Sequence, residues 1–275
     1  MIRPILLSMF CLGLFACNSA PSGEGENMGQ FADDQEFKDA HETPEEIAFE
    51  GKGEMFEFNT ADGKTGKAYR LMPEEPTNRF LFVVHEWWGL NDHIKQEAER
   101  LFGQLDNTIV LALDLYDGKI ATDPEKAGEF MQGISEDRAN AIISGALDYA
   151  GKDGKVATIG WCFGGGWSLR ASIAAADRGV GCVMYYGMPV ETATQLQPLQ
   201  ADILGVFATK DGWINEEMIN KFEALCAATG KDFKPTWYQA DHAFANPSNP
   251  KYDAESAKKA NDEALSFLRT HLDAE

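Results

Sequence analysis

Val156-Ala157-Thr158-Ile159-Gly160-Trp161-Cys162-Phe163-Gly164-Gly165-Gly166 is the stretch that decides how this chain folds. The first four residues are apolar and β-branched or small, as in a buried strand. The glycines that follow permit a sharp reversal, and a helix then starts. The G-x-C-x-G spacing lifts one side chain, Cys162, clear of the sheet at the end of its strand. A nucleophile placed there stands at a helix N-terminus, where free N–H groups and the macrodipole favour a thiolate and a developing oxyanion. A buried structural cysteine in a strand–helix turn shares this local pattern, so the partners elsewhere in the chain decide between the two.

Outward from this turn the chain alternates strands and helices. Residues 54–58 and 67–71 flank Ala61-Asp62-Gly63-Lys64 and read as a hairpin. Residues 80–85, 108–113, 156–160, 180–185, 203–208 and 234–238 read as strands, the central ones without polar alternation. Helices are expected over 92–105, with Asp92 as N-cap, within 124–149, and over 167–176, 215–228 and 254–271. Apolar strands alternating with helices imply an α/β fold, a mostly parallel sheet covered on both faces.

Residues 1–16 carry one Arg at position 3 and an apolar run through Leu14-Phe15-Ala16, the pattern of a secretory signal. Leu14-Phe15-Ala16-Cys17 resembles a bacterial lipobox. That makes Cys17 the expected lipidated residue and the bacterial cell envelope, on its periplasmic or outer side, the expected location. Residues 17–50 are rich in Gly, Ser, Pro and acids and read as a lipid-anchored flexible linker. Residues 51–275 suit one catalytic domain, expected as a monomer. The formal net charge of −20 and the lack of a Lys/Arg cluster exclude a nucleic-acid partner. Of five cysteines, Cys162, Cys182 and Cys226 fall in this domain. A Cys182–Cys226 disulfide is compatible with export, and Cys162 would then be the odd, reactive thiol.

A thiol nucleophile needs a base, and the base needs a group to orient it. Downstream of Cys162, Asp211 follows the strand ending at Ala208, and His242 follows the strand ending at Tyr238. The order nucleophile, acid, histidine at successive strand ends is that of the α/β-hydrolases. No metal or cofactor is called for. His85-Glu86 opens like H-E-x-x-H, but residue 89 is Gly.

The chain resembles the dienelactone hydrolase family over about residues 50–272. Four blocks carry the resemblance: residues 83–91 (VVHEWWGLN), Asp114-Leu115-Tyr116, the elbow at residues 160–166, and Asp241-His242-Ala243-Phe244. The resemblance implies an α/β-hydrolase fold and hydrolysis of small esters or lactones by a Cys162–His242–Asp211 triad. It implies that Glu86 controls the ionisation of the thiol, and that the backbone N–H groups of Trp87 and Phe163 form the oxyanion hole. Two arginines that hold a substrate carboxylate in the family are absent. Gly118, followed by Lys119, and Asn246 occupy their places, so bidentate carboxylate capture is lost. Trp87, Trp88, Trp161, Trp167 and Trp213 are candidates for an apolar substrate pocket or for core packing. The competing function is a non-catalytic lipoprotein that keeps the fold to bind a ligand. A thiol redox protein is disfavoured by the lack of a nearby resolving cysteine.

Overall fold

The computed structural model describes residues 28–274. The expected signal segment and Cys17 lie outside the described residues. No helix among the described residues is long and apolar enough to cross a membrane.

Eight strands form one sheet: β1 (Glu54–Asn59), β2 (Thr65–Leu71), β3 (Arg79–Val84), β4 (Ile109–Leu113), β5 (Lys155–Trp161), β6 (Gly179–Tyr185), β7 (Asp202–Ala208) and β8 (Phe233–Tyr238). Their spatial order is β1-β2-β4-β3-β5-β6-β7-β8. β1 and β2 pair antiparallel, as does β2 with β4, and every other pairing is parallel. All five residues of β4 are buried, and so are the last six of β5, which requires cover on both faces. Pro235 lies in β8, an edge strand, where a missing N–H costs no ladder bond.

The helices are α1 (Gln35–Asp39), α2 (Asp92–Phe102), α3 (Pro124–Gln132), α4 (Glu136–Ala150), α5 (Phe163–Ala175), α6 (Ala193–Leu196), α7 (Glu216–Thr229) and α8 (Ala254–Leu272). With the mostly parallel sheet they make the α/β-hydrolase architecture. Asn91, not Asp92, caps α2, its Oδ1 accepting the Ile94 N–H at 3.1 Å. Asp92 instead supplies first-turn acidity.

The elbow helix α5 starts at Phe163, ahead of the expected start at Trp167. Three glycines lower its intrinsic propensity, but close packing outweighs that cost. A Cβ on Gly160 would lie 2.1 Å from the Gly164 carbonyl oxygen, and one on Gly164 2.3 Å from that of Val84. Backbone therefore packs on backbone where β3, β5 and α5 meet.

Residues 28–41 depart from the expectation of a flexible linker. A 3₁₀ turn at Met28–Phe31 and helix α1 pack onto the domain. Asp34 caps α1 by accepting the Glu36 and Phe37 N–H groups. Phe37 is fully buried against Trp87, Trp213 and His41, with ring centroids 5.1, 5.1 and 4.4 Å away. Burying one Phe is worth roughly 1.5–3 kcal/mol and the cap about 1 kcal/mol, enough to offset part of the ordering cost of a short segment. The acids that suggested a tether sit mostly on its water-facing positions.

The disulfide compatible with export is not formed. Cys182 and Cys226 are both free and buried. Cys182 Sγ lies 3.7 Å from Ser168 Oγ, and burial holds both thiols well above their ordinary range.

Gly164→Ala should lower stability by about 1–3 kcal/mol, the usual range for overpacking, because both Val84 and His85 carbonyls block the added carbon. Chemical denaturation of the two proteins measures it, and the elbow should show the largest gain in amide exchange.

Candidate active site

The carboxyl ends of the parallel strands gather the candidate residues at one edge of the sheet, where open α/β sheets place chemistry. Glu86 follows β3, Cys162 follows β5, Asp211 follows β7 and His242 follows β8.

Cys162 has φ 55° and ψ −119°, a strained conformation that costs a non-glycine residue about 1–3 kcal/mol. Its N–H donates to the Tyr185 carbonyl at 3.0 Å, which ties the strained turn to β6. The thiol is almost wholly buried. Burial pushes its pKa up. The neighbouring His242 and the Phe163 N–H pull it down, the charge of Glu86 pushes it further up, and the net direction is upward.

His242 Nδ1 donates to Asp211 Oδ2 at 2.6 Å. The other Asp211 oxygen accepts the Trp213 and Ile214 N–H groups, each at 2.9 Å. The carboxylate is thus fully engaged and fixes the imidazole tautomer. Burial disfavours an imidazolium at His242, but the Asp211 charge and the Cys162 sulfur outweigh it and raise the pKa. With Nδ1 occupied, Nε2 has no hydrogen-bond partner among the described residues, and a ring nitrogen of His242 lies within 4.8 Å of Cys162 Sγ.

Glu86 is buried, and burial drives its carboxyl up to about 7, against opposing pulls from His242 and Asn246. Its Oε2 accepts the Asn246 amide at 2.5 Å. The Asn246 amide is oriented by its own oxygen, which accepts the Ser248 N–H and Oγ–H, both at 2.8 Å. Asn246 therefore holds Glu86 from a place where the family resemblance calls for an arginine. The Gly89 N–H returns to the Glu86 carbonyl at 3.2 Å, closing a turn from which the chain leaves with a positive φ, 91°, at Gly89. Trp87 sits at the first corner of that turn, so its N–H is left outside the turn's own bond. His85 is structural. Its Nδ1 donates to the Glu86 carbonyl at 2.6 Å and its Nε2 accepts the Leu115 N–H at 3.2 Å, joining the ends of β3 and β4.

A cavity of about 380 Å³ borders Glu86 and Asn246 and is walled by Trp88, Trp161 and Tyr252 among others. Of the five candidate tryptophans only Trp88 and Trp161 line it. Trp87 and Trp167 are core residues, and Trp213 packs on Phe37 and His242. Gly118 and Lys119 do not line the cavity.

Sequence reasoning missed His41, Phe37 and Tyr186. His41 is buried, with its ring 5.5 Å from that of His242, and its Nδ1 donates to the Phe37 carbonyl at 2.7 Å. Burial, then the nearby His242, drives its pKa down to about 3, so it is neutral. The Tyr186 ring lies 5.0 Å from that of His242, with its hydroxyl buried. The only local signal for the first two was Asp34 followed by Phe37 and His41, a capped turn with two rings on one helical face.

A cysteine on a strand–helix elbow, beside a histidine bonded to a carboxylate, is the arrangement expected of the α/β-hydrolase class. The chain belongs to the dienelactone hydrolase family, whose model matches residues 67–272. It is 28% identical over 233 residues to the protein usf of Aquifex pyrophilus, covering 80% of this chain and 99% of that one. It is 25% identical over 226 residues to carboxymethylenebutenolidase 1 of Cupriavidus pinatubonensis, covering 77% and 94%. Among solved structures, a dienelactone hydrolase-like promiscuous phosphotriesterase from metagenomic libraries shares the fold with TM-score 0.68, at 23% identity, over 80% and 99% of the two chains. The protein is thus a hydrolase of this family's kind.

Glu86 generates a pH signature. A carboxyl raised from 4.5 to about 7 by burial leaves the fold at full stability below the unfolded pKa, and stability is lost as pH rises through 7. From about pH 5 to about pH 8 the wild type should lose about 2–3 kcal/mol relative to Glu86→Gln. His41, His85 and His242 also titrate, but they are common to both proteins. Urea unfolding at the two pH values gives the difference, and parallel curves would mean that Glu86 does not titrate in this range.

Proposed function

We propose that the protein is an exported, lipid-anchored hydrolase of small esters or lactones, acting as a monomer at the bacterial cell envelope through a covalent acyl-enzyme. The observation that carries the catalytic reading is the 2.6 Å Asp211–His242 bond, which leaves His242 Nε2 available to the Cys162 sulfur.

Substrate reaches Cys162 from the cavity beside Trp161 and Glu86, whose lining stops short of Cys162 and His242. Cys162 Sγ attacks the carbonyl carbon while its proton passes to His242 Nε2. The Trp87 and Phe163 N–H groups hold the oxyanion, one from the loop after β3 and one following the nucleophile. The carbonyl re-forms, the C–O bond breaks, and His242 returns the proton to the leaving oxygen. Water, deprotonated by His242, then releases the acid and the thiol. Asp211 stabilises the imidazolium at each transfer. Glu86 opposes the thiolate at rest and so keeps the thiol protonated in an oxidising compartment.

The substrate lacks a carboxylate that needs a paired guanidinium. Asn246 is committed to Glu86, and Gly118 lies outside the cavity. The net charge of −20 also disfavours polyanions. Trp88, Trp161 and Tyr252 in the cavity wall favour an apolar acyl or ring group.

Cys162→Ala should lower kcat on small activated aryl esters by about 10³-fold or more, with the circular dichroism spectrum unchanged. Wild-type turnover in that variant would remove Cys162 as nucleophile. For the anchor, mass spectrometry of protein made in its native host should find a lipid on Cys17. An unmodified N-terminus beyond residue 17 would remove it.

A further inference from the structure

One buried group beside the nucleophile has no use in the proposed hydrolysis: His41. Its Nε2 is buried without a hydrogen-bond partner among the described residues, and so is Nε2 of His242 on the adjacent ring. Buried polar atoms are rarely left unpaired, so each needs an explanation. One thiol proton can satisfy one imidazole lone pair. With His242 as the base, the His41 lone pair is surplus.

These two histidines and Cys162 each bring one donor atom to a common centre, and the three atoms lie within 4.8 Å of one another. We propose that His41, Cys162 and His242 form a binding site for a thiophilic transition-metal cation, of which Zn²⁺ is the type, and that the cation shuts the active site.

Three features support this. The first is the donor set: two imidazoles and one thiolate suit Zn²⁺ and disfavour Mg²⁺ or Ca²⁺, which prefer oxygen. The second is the shell behind the donors. Metal-binding histidines donate their other ring N–H to a carboxylate or a backbone carbonyl, which turns the free lone pair to the metal. His242 donates to the Asp211 carboxylate and His41 to the Phe37 carbonyl, so both tautomers are already set. The third is charge. The Cys162 thiolate and the Asp211 carboxylate together balance a dication in a buried site, and Glu86 stands close enough for its charge to act on the sulfur.

At ordinary Zn–N and Zn–S lengths the donors of a tetrahedral site are roughly 3.3–3.6 Å apart. The set therefore contracts by about 1.5 Å at most on capture, a movement within reach of His41, which lies just past the five-residue helix α1. On binding, the Cys162 S–H bond breaks, its proton goes to solvent and an S–Zn bond forms, with no change of oxidation state. Sulfur and His242 Nε2 are then both occupied, so neither nucleophile nor base is free. This inhibitory consequence rests on the hydrolase reading; the binding itself does not.

The test uses the full chain with Co²⁺ and Zn²⁺ as probes. Co²⁺ titration should give one equivalent bound, with a sulfur-to-cobalt charge-transfer band that Zn²⁺ displaces and Cys162→Ser abolishes. His41→Ala should weaken Zn²⁺ binding by roughly 100-fold or more, at or beyond the upper end of the effect of losing a group behind a ligand. X-ray absorption of the Zn²⁺-loaded wild type should count one sulfur and two imidazoles, and this needs no variant to fold. One imidazole or none in that spectrum, or wild-type affinity in a folded His41→Ala protein, would overturn the site. Zn²⁺ should also inhibit ester hydrolysis and a chelator restore it; full activity with the metal bound would overturn the closure. A metal bound as described by a protein without esterase activity would sink the proposed ester hydrolysis alone.

Discussion

The close backbone contact at the elbow governs the rest of the site. Gly160 and Gly164 let α5 press onto β5 and β3 at distances that no side chain would permit. That contact holds Cys162 in its strained conformation and lifts the thiol above the sheet. It also places the first N–H of α5 at the sulfur, so the turn that presents the thiol offers it a backbone donor as well. The strain is held by parallel pairing on both sides of β5 and by the Cys162 N–H bond to Tyr185.

Burial then sets the electrostatics. Cys162, His242, Glu86 and His41 have almost no contact with water, so each charge is decided by its neighbours. Asp211 has a full set of donors, two backbone N–H groups and an imidazole. It therefore favours a proton on His242. Glu86 has a single amide partner, and burial raises it. The two carboxylates thus act in opposite directions on different groups: Asp211 raises the pKa of His242, and the charge of Glu86 raises that of the Cys162 thiol.

The N-terminal segment adds a constraint of its own. Phe37 and His41 lie on the rings of Trp87, Trp213 and His242, so residues that precede the sheet form part of the wall around His242. The cavity on the Glu86 and Trp161 side has room for a small molecule. Cys162 and His242 do not line that cavity.

The sequence by itself determined the alternation of elements, the parallel sheet and the chain order Cys162, Asp211, His242, because strand periodicity and glycine turns are local properties. The expectation that these residues stand at strand ends came from the same source. Only the tertiary structure decided which tryptophans reach the cavity, since Trp87 and Trp88 are adjacent in sequence but one faces the core and the other the cavity. It decided that Asn246 is bonded to Glu86, a contact across 160 positions. It left Cys182 and Cys226 unbridged, each buried in its own surroundings. And it brought His41 beside Cys162, which composition could not foresee. An acidic segment reads as solvated when its residues are averaged, whereas docking depends on two rings and one cap that point the same way, and on an apolar surface that exists only once the sheet has formed.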